Sequence, residues 1–219
     1  MFLRDVFSAW DELSERRTVE KIKTIGDAYM CVGGLTEDDI PCGAKLKGRI
    51  VAYEMVMLGL EMKRALDQVN AKHGTTFQVR IGIHTGPCIA GVIGVKRFAF
   101  DIWGDAVNVA SRMESHGVPG SVHISYDTYA YIKHSSYLKF TCRGENHVKG
   151  KGVMTTYLVD IDRDLNRRSY IADLGYEIEE SEKDDYSDEE VKYRTRYDVS
   201  SEDWQTYCSM HSARETICI

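Results

Sequence analysis

Residues 19–30 read VEKIKTIGDAYM, and this stretch decides what kind of fold surrounds it. Val19, Lys21 and Lys23 alternate with Glu20, Ile22 and Thr24, the two-residue period of a strand, until Gly26-Asp27 interrupts the run and residues 28–32 resume it. Two strand-like runs joined by Gly-Asp predict a β-hairpin with Asp27 at its tip. Upstream, Phe2, Val6, Phe7, Trp10 and Leu13 recur at helical spacing, so an amphipathic helix leads into the hairpin. Downstream, Ile50, Tyr53, Met57, Leu60 and Leu66 predict a helix over 48–72 that stops at Gly74. Farther on, 77–84 and 88–93 read as strands around Thr85-Gly86-Pro87, 100–103 as a short strand and 105–115 as a helix. A strand at 122–124 runs into Ser125, a good N-cap for a helix reaching Lys133, and 157–159 reads as the closing strand.

Helices alternating with hairpins point to an α+β domain over residues 1–160, a mostly antiparallel sheet covered by helices in the ferredoxin-like manner. With 219 residues and 43% hydrophobic content the chain can bury one substantial core. Charge sets a boundary after it: residues 161–219 hold 8 Lys and Arg against 16 Asp and Glu, while residues 1–160 hold 20 against 18. The run LGYEIEESEKDDYSDEE offers almost nothing apolar at strand or helix spacing, so 161–219 is expected to be an acidic, disordered tail. The most apolar run, 50–60, is short and contains Glu54, so no transmembrane helix is expected, nor is a signal peptide, since Arg4-Asp5 follows the start at once. Six cysteines, at 31, 42, 88, 142, 208 and 218, show no metal spacing and fit a reducing, intracellular compartment. The nearly neutral domain and the lack of an aromatic RNA-binding run argue against a nucleic-acid partner.

Several polar residues stand out. Asp27 sits where a turn can project a carboxylate toward a ligand, although Gly-Asp is also ordinary turn chemistry. Lys23 precedes it by four residues on the incoming strand, and Asp101 opens DIWG. Asn108 and Arg112 are spaced i, i+4, so both project from one face of the 105–115 helix. Lys149 lies in the glycine-flanked segment NHVKGKG, and Lys96-Arg97 follows Gly94 in a turn.

Taken in order, VEKIKTIGDAYM, RIGIHTGPCIAGVIG at 80–94 and FDIWGDAVNVASR at 100–112 resemble the catalytic domain of the class III nucleotidyl cyclases, the adenylyl and guanylyl cyclases. The resemblance covers about residues 1–159 and implies conversion of ATP to 3′,5′-cyclic AMP and pyrophosphate. It implies that Asp27 is a metal ligand, with two Mg²⁺ ions (or Mn²⁺) orienting the ribose 3′-hydroxyl and screening the triphosphate, since magnesium prefers oxygen ligands. Lys23 and Asp101 match the pair that selects adenine in adenylyl cyclases, where guanylyl cyclases usually carry Glu and Cys because guanine presents the reversed donor and acceptor pattern. Asn108 would orient the ribose, Arg112 would face the α-phosphate where negative charge accumulates, and Lys149 would reach the terminal phosphates. Lys96 and Arg97 would touch phosphate from a hairpin tip. Family active sites form between two domains, so a homodimer, or a heterodimer with another cyclase domain, is expected, with any membrane attachment through segments other than these. The family's first strand, which carries a second metal aspartate, has no counterpart after Met1, so the resemblance leaves two alternatives beside the adenylyl cyclase: a guanylyl cyclase, or a catalytically incomplete regulatory partner.

Overall fold

The computed structural model describes residues 1–17, 19–35, 44–94, 96, 98–161 and 215–218, the side chains of 44–46 and 215–218 excepted. Helix α1 (Phe2–Glu15) buries Val6, Trp10 and Ser14, the face that helical spacing marked. Trp10 Nε1 donates to the Met62 carbonyl at 3.0 Å and so ties α1 to α2 (Ala44–His73). Strands β1 (Val19–Ile25) and β2 (Ala28–Gly33) form the expected antiparallel hairpin, Ile25 facing Ala28 across a two-residue turn. Gly26 has φ 64°, and among the described residues only glycines have positive φ, so Asp27 does not, the pattern of a type II′ turn with glycine first. Helix α2 ends where Gly74 turns left-handed at φ 65°.

The chain continues through β3 (Arg80–Gly86), β4 (Ile89–Ile93), β5 (Ala99–Trp103), α3 (Asp105–Ser115), β6 (Ser121–Ser125), α4 (Tyr126–Ile132), β7 (Leu138–Val148) and β8 (Gly152–Ile161) to β9 (Glu215–Cys218). Seven strands form one sheet in the order β1-β2-β9-β3-β6-β8-β7, antiparallel except for the parallel pair β3–β6, while β4 and β5 form a separate ribbon. On one face α1, α2 and α4 share the main core, with Met55, Leu58, Ile83, Val122, Ile124 and Ile132 among its fully buried side chains. The other face carries α3, because consecutive strand residues face opposite ways: Ile81 and Ile83 join the α2 side, whereas Gly82 lies against the backbone of Ala110 and Glu114 in α3. Glu54, the one charge in the apolar run, is answered by Arg17, which also bonds Glu61 Oε1 at 2.6 Å.

The α+β architecture expected from the sequence is present, with differences of detail. The strand expected at 77–84 runs from Arg80 to Gly86, and β3 and β4, read as neighbours around one turn, belong to different sheets. The long β7 was not anticipated; its alternation is broken by a register shift between Cys142 and Glu145, where Gly144 takes φ 71°. Residues 162–214, most of the expected disordered tail, lie outside the described residues, but 215–218 return to the centre of the sheet as β9. Among the described residues no helix is long and apolar enough to cross a membrane.

Candidate active site

The hairpin carries a bulge that sorts its lysines. Lys21 faces Cys31 and Lys23 faces Met30, so β1 holds one extra residue between them, and two side chains that strict alternation would place together take different partners. Lys21 Nζ bonds Asp11 on α1 at 2.7 and 2.8 Å. Lys23 Nζ donates to Asp101 Oδ2 on β5 at 2.5 Å, and the other oxygen of Asp101 accepts the Ile102 amide at 2.9 Å. The hydrogen bond from Lys23 holds the Asp101 carboxyl below its ordinary pKa, so Asp101 is a carboxylate at neutral pH. Beneath it Met30, Val32, Ile102, Ala106 and Ala110 pack with Ile22, fixing the hairpin, β5 and α3 to one another.

Helix α3 starts after Gly104, whose φ of 140° only glycine adopts readily, and buries Ala106, Val109, Ala110 and Met113. Its other face carries exposed Asn108 and half-buried Arg112, one turn apart as the spacing predicted. The β7–β8 turn is drawn to this helix: Lys151 pairs with Asp105 at the start of α3, and Val148 packs on Val109 and Met113. Lys149, next to Val148, is therefore an exposed cation beside α3. Lys151, which sequence reasoning passed over, anchors that turn; the basic, glycine-flanked KGKG was its only signal.

Behind α3 lies a buried polar layer. His84 Nδ1 and Ser125 Oγ are 2.8 Å apart and Thr85 Oγ1 meets Thr128 Oγ1 at 3.1 Å, while His123 Nδ1 is 2.7 Å from the Met113 carbonyl, to which it donates. Burial pushes the pKa of both histidines below the ordinary value, because a desolvated imidazolium is disfavoured.

The structure thus joins Lys23 to Asp101 and gathers Asn108, Arg112 and Lys149 around α3. Asp27 is exposed at the hairpin tip, Lys96 is exposed in the β4–β5 turn, and Arg97 lies outside the described residues. Among the described residues Asp27, Asn108, Arg112 and Lys149 have no side-chain partner for hydrogen bonding or ion pairing. Nor do the described residues hold a group of three or more His, Cys, Asp or Glu arranged to take a metal, so Asp27 offers one oxygen ligand and does not by itself make a magnesium site.

Residues 1–161 match the family described as the adenylate and guanylate cyclase catalytic domain. Human guanylate cyclase soluble subunit beta-2 is 43% identical over 157 residues, covering 72% of this chain and 24% of its own length. The adenylate cyclase of Mycobacterium tuberculosis is 40% identical over 156 residues, covering 71% of this chain and 33% of its own length. The chain thus spans a third or less of these curated relatives. Among solved structures, the guanylate cyclase domain of RhGC from Catenaria anguillulae in complex with GTP gives a TM-score of 0.63 at 34% identity, over 73% of this chain and 82% of that one. The adenylyl cyclase CyaB from P. aeruginosa gives 0.64 at 28% identity, over 75% and 84%. With the family match running through both the hairpin and α3, the chain belongs to the adenylate and guanylate cyclase catalytic domain family.

Proposed function

We propose that this domain acts in converting ATP to 3′,5′-cyclic AMP and pyrophosphate, and the Lys23–Asp101 pair is the observation that carries the choice of ATP. A carboxylate accepts from the exocyclic amine of adenine and an ammonium donates to its ring nitrogen; guanine presents the opposite pattern on that edge. In the reaction the ribose 3′-oxygen loses its proton and bonds to the α-phosphorus as the bond to the pyrophosphate oxygen breaks. Arg112 would face the charge that builds on the α-phosphoryl oxygens, Asn108 would fix the ribose, and Lys149 would hold the departing phosphates. Lys96, with Arg97 beside it in sequence, is a candidate for a further phosphate contact.

Class III cyclases are generally dependent on divalent metal. A Mg²⁺ or Mn²⁺ ion would take Asp27 as one ligand, with its remaining ligands outside the described residues. The working unit is proposed to be a dimer, of this chain or with another cyclase domain. Support comes from the β4–β5 ribbon, which leaves Ile89 and Ile93 exposed on one face and Val92 and Phe100 on the other, with Phe98 exposed beside them, more large apolar side chains than an ordinary free ribbon shows. A guanylyl cyclase is the second reading, favoured by the guanylate cyclases among the similar proteins.

The test is complementation. The chain is mixed with a cyclase domain that retains both metal aspartates but whose counterpart of Arg112 is replaced, and Mg-ATP is added. Cyclic AMP production by the mixture is expected. A mixture that forms the dimer and binds nucleotide yet yields no cyclic nucleotide contradicts the proposal, and cyclic GMP as the main product favours the second reading.

A further inference from the structure

The β7–β8 hairpin touches α3 at both ends, and an irregularity in β7 makes the contact at the C-terminal end. Cys142 pairs with Tyr157 and Glu145 with Thr155, so β7 holds one residue more than the stretch of β8 that faces it. Gly144 takes φ 71° there, and Asn146 Nδ2 closes the bulge by donating to the Gly144 carbonyl at 3.2 Å and to Thr156 Oγ1 at 3.0 Å. A bulge re-aims the side chains beside it. From this one Arg143, half-buried, reaches to His116, the residue that caps α3, and its Nη1 donates to the His116 carbonyl at 2.6 Å.

A helix ends in carbonyls that have no partner inside it, and those of α3 are met from several directions. The Arg112 carbonyl accepts the His116 amide at 3.0 Å and the Glu114 carbonyl accepts the Gly117 amide at 2.8 Å. The Met113 carbonyl takes the Nδ1 proton of His123, which is fully buried on β6. A neutral imidazole that donates through Nδ1 keeps Nε2 as an acceptor, and Arg143 Nη1 lies 3.4 Å from it. One guanidinium nitrogen thus directs its two protons at the His116 carbonyl and at His123, joining the last turn of α3 to β6 and β7. Among the described residues no carboxylate pairs with Arg143, and its charge faces the negative end of the helix dipole.

Arg112 stands four residues before His116, about 6 Å along the helix axis. At the other end of α3 Lys151 pairs with Asp105, and between the two ends Val148 packs on Val109 and Met113. Lys149 follows Val148 directly, so the strand that carries Arg143 also delivers Lys149 to the helix. We infer that Arg143 is a positioning residue: bonded to the end of α3 through the His116 carbonyl and His123, it sets where Arg112 stands relative to Lys149. The inference rests on the reading of Arg112 as the group that faces the reacting phosphate. Misplacing such a group by about 1 Å can cost about 10²-fold in rate, so Arg143 governs the rate while supplying no group to the reaction.

A double-substitution cycle in the complementing mixture, with the full chain supplying Arg112, tests this. Arg143→Ala is expected to lower kcat about tenfold and to change KM for ATP by less than about threefold. Arg143→Lys keeps a donor for the His116 carbonyl and is expected to recover most of the rate. Because Arg143 acts through Arg112, adding Arg143→Ala to Arg112→Ala is expected to lower the residual rate by less than about twofold. Amide hydrogen exchange on the full chain alone reads the same contact without turnover: Arg143→Ala is expected to speed exchange at residues 116 and 117 at least about tenfold, with the β1–β2 pairing unchanged. Should Arg143→Ala fail to fold, Asn146→Ala, which loosens the bulge and keeps the cation, replaces it in both measurements. An unaltered kcat, unaltered exchange, or losses that multiply in the double variant would overturn the inference and leave the role of Arg112 standing. A mixture that makes no cyclic nucleotide, or that turns over equally fast with Arg112→Ala, refutes instead the reading of Arg112, and the inference falls with it.

Discussion

The two halves of the candidate site differ in how their charges are held. At the hairpin, Lys23 and Asp101 are bonded to each other at 2.5 Å, and the Ile102 amide fixes the carboxylate. Around α3, Arg112 and Lys149 have no counterion among the described residues, and they are brought together by the side-chain packing of Val109, Met113 and Val148 and by the Lys151–Asp105 pair. A preformed pair has to exchange one partner for the base edge, so it adds little to affinity but penalises a base whose donors and acceptors are reversed. Unpaired cations, by contrast, keep their full attraction for incoming phosphate and for charge that develops later. Under the proposed function, selection and charge stabilisation would thus be divided between β1–β5 and α3.

That division predicts effects of graded size. Arg112→Ala, measured in the complementing mixture, is expected to lower kcat about 10²–10³-fold while leaving the ATP-over-GTP preference unchanged, as for loss of one transition-state donor. A shift in preference would show that the two halves are not separable. Next comes Gly82→Ala, whose added Cβ would run into Glu114 N and Ala110 O, backbone atoms of α3 that cannot swing aside. Overpacking of this kind costs about 1–3 kcal/mol, and the displaced helix carries Asn108 and Arg112 with it. Thermal unfolding and kcat should both fall; unaltered stability would mean that α3 is not seated on β3 as described.

The smallest effect concerns pH. His84 and His123 have folded pKa values below the ordinary 6.5 because burial disfavours their charged forms. Below that value the unfolded chain binds more protons than the folded one, so stability falls as pH drops from 7 toward 5 and is flat above 7. Asp5, held well below the carboxylate range mainly by His73 and then Lys72, loses its contribution only in stronger acid and leaves this window to the histidines. A Tm lower by about 2–4 °C at pH 5 than at pH 7 is expected, corresponding to about 1 kcal/mol. Replacing His123 by Gln should reduce the slope, and an unchanged slope for that variant would remove His123 from the account.

Much of this was legible in the sequence because it rests on local rules. Gly26-Asp27 between alternating runs fixed the hairpin, and the i, i+4 spacing put Asn108 and Arg112 on one face of α3. The bulge between Lys21 and Lys23 was not legible: alternation predicts one face for both, and only the register with Cys31 and Met30 shows that they part. The pairing of Lys23 with Asp101 joins residues 78 apart and was reached through family resemblance rather than through spacing. Strand β9 was hidden for a different reason, since ETIC after a long acidic run has too few residues to declare a strand until the facing edges of β2 and β3 supply one.

The claim that Lys23 and Asp101 read the purine is the centre of the account, and exchanging them tests it most directly. In the complementing mixture, initial rates with ATP and GTP are compared for the unaltered chain and for Lys23→Glu with Asp101→Cys. The account predicts cyclic AMP as the main product of the first, and for the second a ratio of kcat/KM values moved toward GTP by about two orders of magnitude. An unchanged preference for ATP in the double variant, with the complex still formed and active, would contradict it.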